Sequence, residues 1–104
     1  MNRTPKLAIA IAGIALLSPL QARAEVFGEC AHQKGLDMKI ASCIQASRST
    51  SYPWILHWVY RELARAQLER GEIQKAIVSY AQSLAAEERE SVRREMERLI
   101  LLTH

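Results

Sequence analysis

From residue 38 onward, apolar side chains recur at steps of three and four with charged positions between them, the period of helices buried along one face. Asp37 is placed to cap a helix over 38–47, whose inner face carries Ile40, Cys43, Ile44 and Ser47. Residues 48–53 read as a loop, with Pro53 opening the next helix. That helix covers about 53–70 and stops at Gly71; Tyr60, Leu63, Ala64, Gln67 and Leu68 form its stripe. After a Gly71-Glu72 turn, a helix over about 73–85 places Ile73, Ala76, Ile77, Tyr80 and Leu84 on one face. So short a break makes the two helices antiparallel neighbours. A last helix over about 87–102 has the stripe Val92, Met96, Leu99 and Ile100, with Glu90 and Arg94 as a supporting pair four apart. Leu101 and Leu102 are either apolar surface for a partner or core, and core is the simpler reading. Residues 25–34 form a short helix or irregular lead-in ending at Gly35. The expected fold class is all-α, made of antiparallel helical hairpins.

The first residues follow a different rule. Arg3 and Lys6 precede an uncharged run of 14 residues, 7–20, and Ala22 and Ala24 supply small side chains at the minus-three and minus-one positions of a cleavage site. Pro19 breaks the run near its end. A run of that length falls short of the roughly 20 residues needed to span a bilayer as a helix. Residues 1–24 are therefore expected to be a cleaved secretory signal, which places the mature chain in the periplasm or outside the cell, without a transmembrane span. Cys30 lies beyond the cleavage point with no small residues directly before it, which argues against a lipoprotein.

Charge changes meaning once that segment is set aside. The chain of 104 residues carries 14 basic and 11 acidic residues, a formal net charge of +3. Arg3, Lys6 and Arg23 belong to the export signal and every acidic residue lies from Glu25 onward, so the mature chain is neutral. A neutral surface removes the bulk argument for nucleic-acid binding. Length leaves room for one small domain, divided into a 25–52 segment bearing both cysteines and a 53–104 hairpin with its end helix.

In an oxidising compartment two cysteines favour a bridge, and Cys30 to Cys43 is the one intramolecular pairing open to them. Free or intermolecular thiols are the alternative. A metal site is disfavoured because Cys30-x-His32 is too tight and lacks a second pair. Neither a redox Cys-x-x-Cys nor a nucleophile, histidine and acid at recognisable spacing is present. Ser42, Ser47, Ser49 and Ser51 look like cap and loop chemistry, and His32 and His57 like surface or interface residues. No catalytic residue, metal or cofactor is assigned, and an enzyme is the least favoured class.

Tyr60, Leu63 and Ala64 on one helix, Gly71-Glu72 at the turn, and Ala76 and Tyr80 on the next resemble the pattern of a tetratricopeptide repeat (TPR), a helix-turn-helix unit of about 34 residues. The resemblance covers residues 57–90, and the phrase GEIQKAIVSYAQSL is especially close. Ala64 and Ala76 let two backbones approach while Tyr60 and Tyr80 fill the space beside them. Departures from the pattern are Gln67 in place of a tyrosine, Ser83 in place of an alanine, and no closing proline near Glu88. Residues 39–47 echo 75–83 at a period of 36 and look like the second half of a degenerate repeat. The chain thus resembles small exported bacterial tetratricopeptide-repeat proteins, with one clear repeat, one degenerate repeat and a capping helix at the end. A plain helical bundle with small residues at its contacts is the competing fold.

What the resemblance implies is a protein or peptide bound along the first helix of the repeat. The corresponding positions are Trp58, Arg61, Arg65, Leu68 and Glu69, on one side of that helix. Trp58 supplies area, and two arginines four apart favour an acidic partner or a peptide carboxylate between them. The simpler alternative is a solvated face on which Arg65 pairs with Glu69 and Trp54 and Trp58 pack on the cysteine segment. Two repeats make a short groove, so self-association or docking onto a larger envelope complex fits its size. The expected role is that of an adaptor or accessory subunit, ahead of a structural or stress-related envelope protein without a groove ligand.

Overall fold

The structure, a computed structural model, describes residues 19–103. Five helices follow one another there: α1 (Pro19–His32), α2 (Leu36–Ser47), α3 (Pro53–Glu69), α4 (Ile73–Ala86) and α5 (Glu90–Leu102). The described residues contain no strand, and none of their helices is long and apolar enough to cross a membrane. Most of the expected export signal, 1–18, lies outside the described residues; α1 begins at Pro19 and continues through Ala24 and Glu25.

Local chemistry sets the ends. Pro53 stands at the start of α3, where its missing N–H is no loss. Gly71 takes a positive φ of 87° just past the α3 cap. There the Gly71 N–H donates to Leu68 O at 2.9 Å and the Glu72 N–H to Gln67 O at 2.8 Å. This double closure satisfies the last carbonyls of α3, and a side chain bearing a Cβ adopts such a φ only with strain. Two expected boundaries shift. Gly35, not Asp37, occupies the N-cap of α2, which leaves Asp37 inside the first turn, where a negative charge favours a helix start. The last helix begins at Glu90, because Glu87 and Arg89 adopt extended backbone and end α4 at Ala86.

α3 is the shared wall of two cores. On one side Val59, Leu63 and Ala66 meet Ile40, Cys43 and Ala46 of α2 and Cys30 of α1. On the other side Ala64 meets Ala76, Tyr80 and Leu84 of α4 together with Val92 and Leu99 of α5. Burying side chains the size of Val59 or Leu63 stabilises by about 1.5–3 kcal/mol each. α3 and α4 run antiparallel, since His57 near one end of α3 meets Ser83 and Gln67 near the other meets Ser79. The expected stripe of α2 rotates slightly: Ser42 and Ala46 are buried beside Ile40 and Cys43, whereas Ile44 and Ser47 are half-buried. Leu101 and Leu102 are 73% and 75% exposed rather than core, because α5 runs one turn beyond the surface it covers.

The front pair of helices is stapled covalently. Cys30 and Cys43 form a disulfide and both are fully buried. Around it, Lys39 Nζ donates to the carbonyls of Cys30 at 2.7 Å and Ala31 at 3.2 Å, placing a cation at the C-terminal end of α1. Ser42 Oγ donates to Glu29 at 3.0 Å, so this serine links two helices instead of serving a cap or loop.

Candidate functional site

Of the residues expected to form a docking face on α3, Arg65 and Glu69 are exposed and Arg61 is half-buried, whereas Trp58 and Leu68 pack against the two cores. Trp58 is half-buried in the front core, its ring centroid 6.4 Å from that of Phe27 at an interplanar angle of 59°, a tilted arrangement. Trp54 is 60% exposed and does not join it. Leu68 packs against the rear core beside Ile73 and Met96, and Glu69 is exposed. Tyr60 and Leu63 pack in the front core, Ala64, Ala76 and Tyr80 in the rear one, and Gly71 makes the turn between α3 and α4.

The two arginines have unlike surroundings. Arg65 turns its fork onto Glu95 of α5: Nε and Nη2 both donate to Oε1, at 3.3 and 3.1 Å, and Nη2 also reaches Oε2 at 3.2 Å. Its partner is thus on another helix, not the Glu69 one turn along its own. Partial burial alone would lower the pKa of Arg65, but the hydrogen bond and charge of Glu95 outweigh it and hold the value above the ordinary one. Arg61, one turn earlier, is half-buried with its Nε shielded from solvent and without an acceptor among the described residues. The charges of Arg61, Arg65 and Glu95 all act on the phenol of Tyr80. Burial pushes that phenol up, Glu95 adds to the shift, and Arg65 and Arg61 oppose it.

His57 is fully buried, which overturns its expected place at the surface. Its Nδ1 lies 3.2 Å from the Ser83 carbonyl and 3.0 Å from the Glu87 carbonyl. Carbonyl oxygens only accept, so Nδ1 carries the proton and donates. Ser83 Oγ lies 3.0 Å from Nδ1 but donates its own proton to the His57 carbonyl at 2.7 Å. A serine and a histidine within hydrogen-bond reach suggest a nucleophile and its base, but a nitrogen already bearing its proton cannot accept another from Ser83. The pair closes the end of a hairpin. Its Nε2, buried without a partner, is the residual polar cost.

Glu95 was not singled out from the pattern, His57 was placed at a surface or interface and Ser83 was noted only as a departure from the repeat, although each carries a helical signal. His57, Tyr60 and Ala64 are spaced three and four apart, as are Ala76, Ser79 and Ser83. Glu95 follows Val92 by three and precedes Leu99 by four, which sets it at the edge of the buried stripe of α5. On the opposite side of α3 from Arg61 and Arg65, a cleft of about 350 Å³ opens against α4, lined by Leu63, Gln67, Val78 and Ser79 among others. The described residues bring together no group of three or more His, Cys, Asp or Glu side chains able to hold a metal ion.

Comparisons with protein-family models, with curated proteins and with solved structures found no match to the chain.

Proposed function

We propose that the chain is an exported protein–protein interaction module, an adaptor or accessory subunit built on hairpins of tetratricopeptide type with α5 as the capping helix. It acts in the periplasm or outside the cell and takes a protein or peptide through the α3 face that carries Arg61 and Arg65. One observation carries this reading: Arg61, half-buried, keeps a donor that is shielded from solvent and lacks an acceptor among the described residues. A buried unpaired donor costs stability, and a peptide oxygen delivered to it offsets that cost. A structural envelope protein without a groove ligand is the second reading, favoured by the packing of Trp58 into the front core instead of onto an open face.

Crosslinking in the native cell from a photoreactive residue at position 69, followed by identification of the captured protein, tests the proposal. A single dominant partner that disappears in R61A/R65A supports it; capture that is unchanged in that variant removes the α3 face from consideration. The mass of the exported chain shows in the same preparation whether cleavage falls after Ala24.

A further inference from the structure

Arg65 lies at the solvent edge, with 47% of its side chain exposed against 33% for Glu95. What it holds there is a carboxylate on two nitrogens, the arrangement an arginine makes with an acidic ligand. One turn away Arg61 has the same chemistry and, among the described residues, no acceptor for its Nε. Two neighbouring cations, one satisfied from within and one not, describe a site that the chain fills by half.

The element that fills it is lightly held. α5 buries only Val92 and Leu99 completely, whereas α3 buries His57, Val59, Leu63, Ala64, Ala66 and Gln67. Two extended residues, Glu87 and Arg89, border the short link that joins it to α4. Its last turn is held by Leu99 and ends in exposed Leu101 and Leu102. Elements with few buried contacts open at lower free energy than the rest of a fold.

We propose that Glu95 is an internal occupant of the docking face, and that an acidic segment of the partner takes its place on Arg65 while supplying Arg61 with an acceptor. This rests on the reading of α3 as a docking face and adds to it a ligand class and a competitor. The occupant is a peptide with neighbouring carboxylates, because the two arginines stand one helical turn apart on α3 and, among the described residues, only Arg65 is paired with a carboxylate. Exchange of one carboxylate for another keeps Arg65 paired throughout, so binding leaves no charge stranded. α5 then loosens as ligand binds, and the capping helix sets the affinity.

The test uses the mature chain and a short fluorescein-labelled oligoglutamate peptide, with oligoglutamine as the uncharged control, read by fluorescence anisotropy. Wild type binds oligoglutamate and not oligoglutamine. E95Q, which keeps an acceptor for Arg65 but gives up the charge, binds about threefold more tightly, the effect of removing an exposed competing ion pair. R61Q loses most of the binding. At saturating peptide, amide hydrogen exchange quickens over residues 92–99 while α3 and α4 stay protected. Equal or weaker binding by E95Q, with affinity still dependent on Arg61, overturns Glu95 as competitor and leaves the docking face standing. Absence of oligoglutamate binding by wild type and E95Q alike, with both proteins folded by thermal melt, overturns both.

Discussion

The Ser83 hydroxyl donates to the His57 carbonyl across 2.7 Å, and the His57 ring returns an N–H to the Ser83 carbonyl at 3.2 Å. The two residues clasp the end of the α3–α4 hairpin opposite its turn. The same ring nitrogen also holds the Glu87 carbonyl at 3.0 Å, which fixes where the chain leaves α4 for α5. One histidine therefore ties the hairpin shut and aims α5.

Replacing that ring is expected to be costly. His57→Ala leaves the buried Ser83 carbonyl without its ring donor and opens a cavity between α3 and α4. A loss of about 2–4 kcal/mol follows, the scale of a broken buried network. Urea unfolding measures it as a lower midpoint at unchanged slope. A loss below about 0.5 kcal/mol, the range of ordinary surface changes, shows that the clasp is ornamental.

Midway along the hairpin, Ser79 Oγ donates to Gln67 Oε1 at 2.6 Å and both residues are buried. Ser79→Ala strands the amide oxygen and is expected to cost about 1–3 kcal/mol. Adding Gln67→Leu removes the stranded group, so the double variant recovers most of that loss. A double-mutant cycle in urea decides the point: coupling of about 1 kcal/mol is expected, and strictly additive losses contradict a shared hydrogen bond.

Helix order, the turn at Gly71, the start at Pro53 and the pairing of Cys30 with Cys43 were all legible in the sequence, because each rests on local spacing or on cysteine count. The contacts of the polar residues inside the hairpin were not, although Gln67 was placed on the α3 stripe. His57, Gln67, Ser79 and Ser83 occupy stripe positions, but a polar side chain on a stripe is read as an edge until its partner on the facing helix is known. The same reason hid Glu95, whose meaning depends on Arg65 lying 30 residues earlier. Arg65 has a ready partner by spacing in Glu69, and that local rule lost to a tertiary contact that positions the charge better. For Leu101 and Leu102 the sequence left surface and core open and core was the reading preferred, since periodicity tells which face is apolar and not how far the covering surface extends.

Loss of the disulfide should fall on the front pair of helices. Cys30 and Cys43 close a loop with a sequence separation of 13, for which chain entropy gives about 3 kcal/mol. In C30A/C43A the midpoint drops accordingly, and amide exchange in α1 speeds up far more than in α4, because the rear core shares no residue with the staple. Equal acceleration of both helices would mean that the two cores unfold as one unit.

Acid and alkali are expected to act through different residues. Lys75 first and Arg70 second hold the Glu72 carboxyl below its ordinary value, and Arg93 does the same for Glu88. A carboxyl whose folded pKa is depressed contributes stability above its unfolded pKa, and that contribution fades as pH falls through the folded one. Because Glu88 is exposed and Glu72 only half-buried, the slope is shallow and weakened by salt. Urea midpoints should therefore hold at neutral pH and fall once the medium drops below the usual glutamate range of about 4.3, with a flatter profile in E72Q/E88Q. At the other extreme, burial raises the Tyr80 phenol, so the unfolded chain releases its proton first. Stability then declines as pH rises past the ordinary tyrosine value of about 10. Tyr80→Phe removes that ionisation and keeps the ring, so an alkaline decline of unchanged steepness in this variant would assign the loss to other groups.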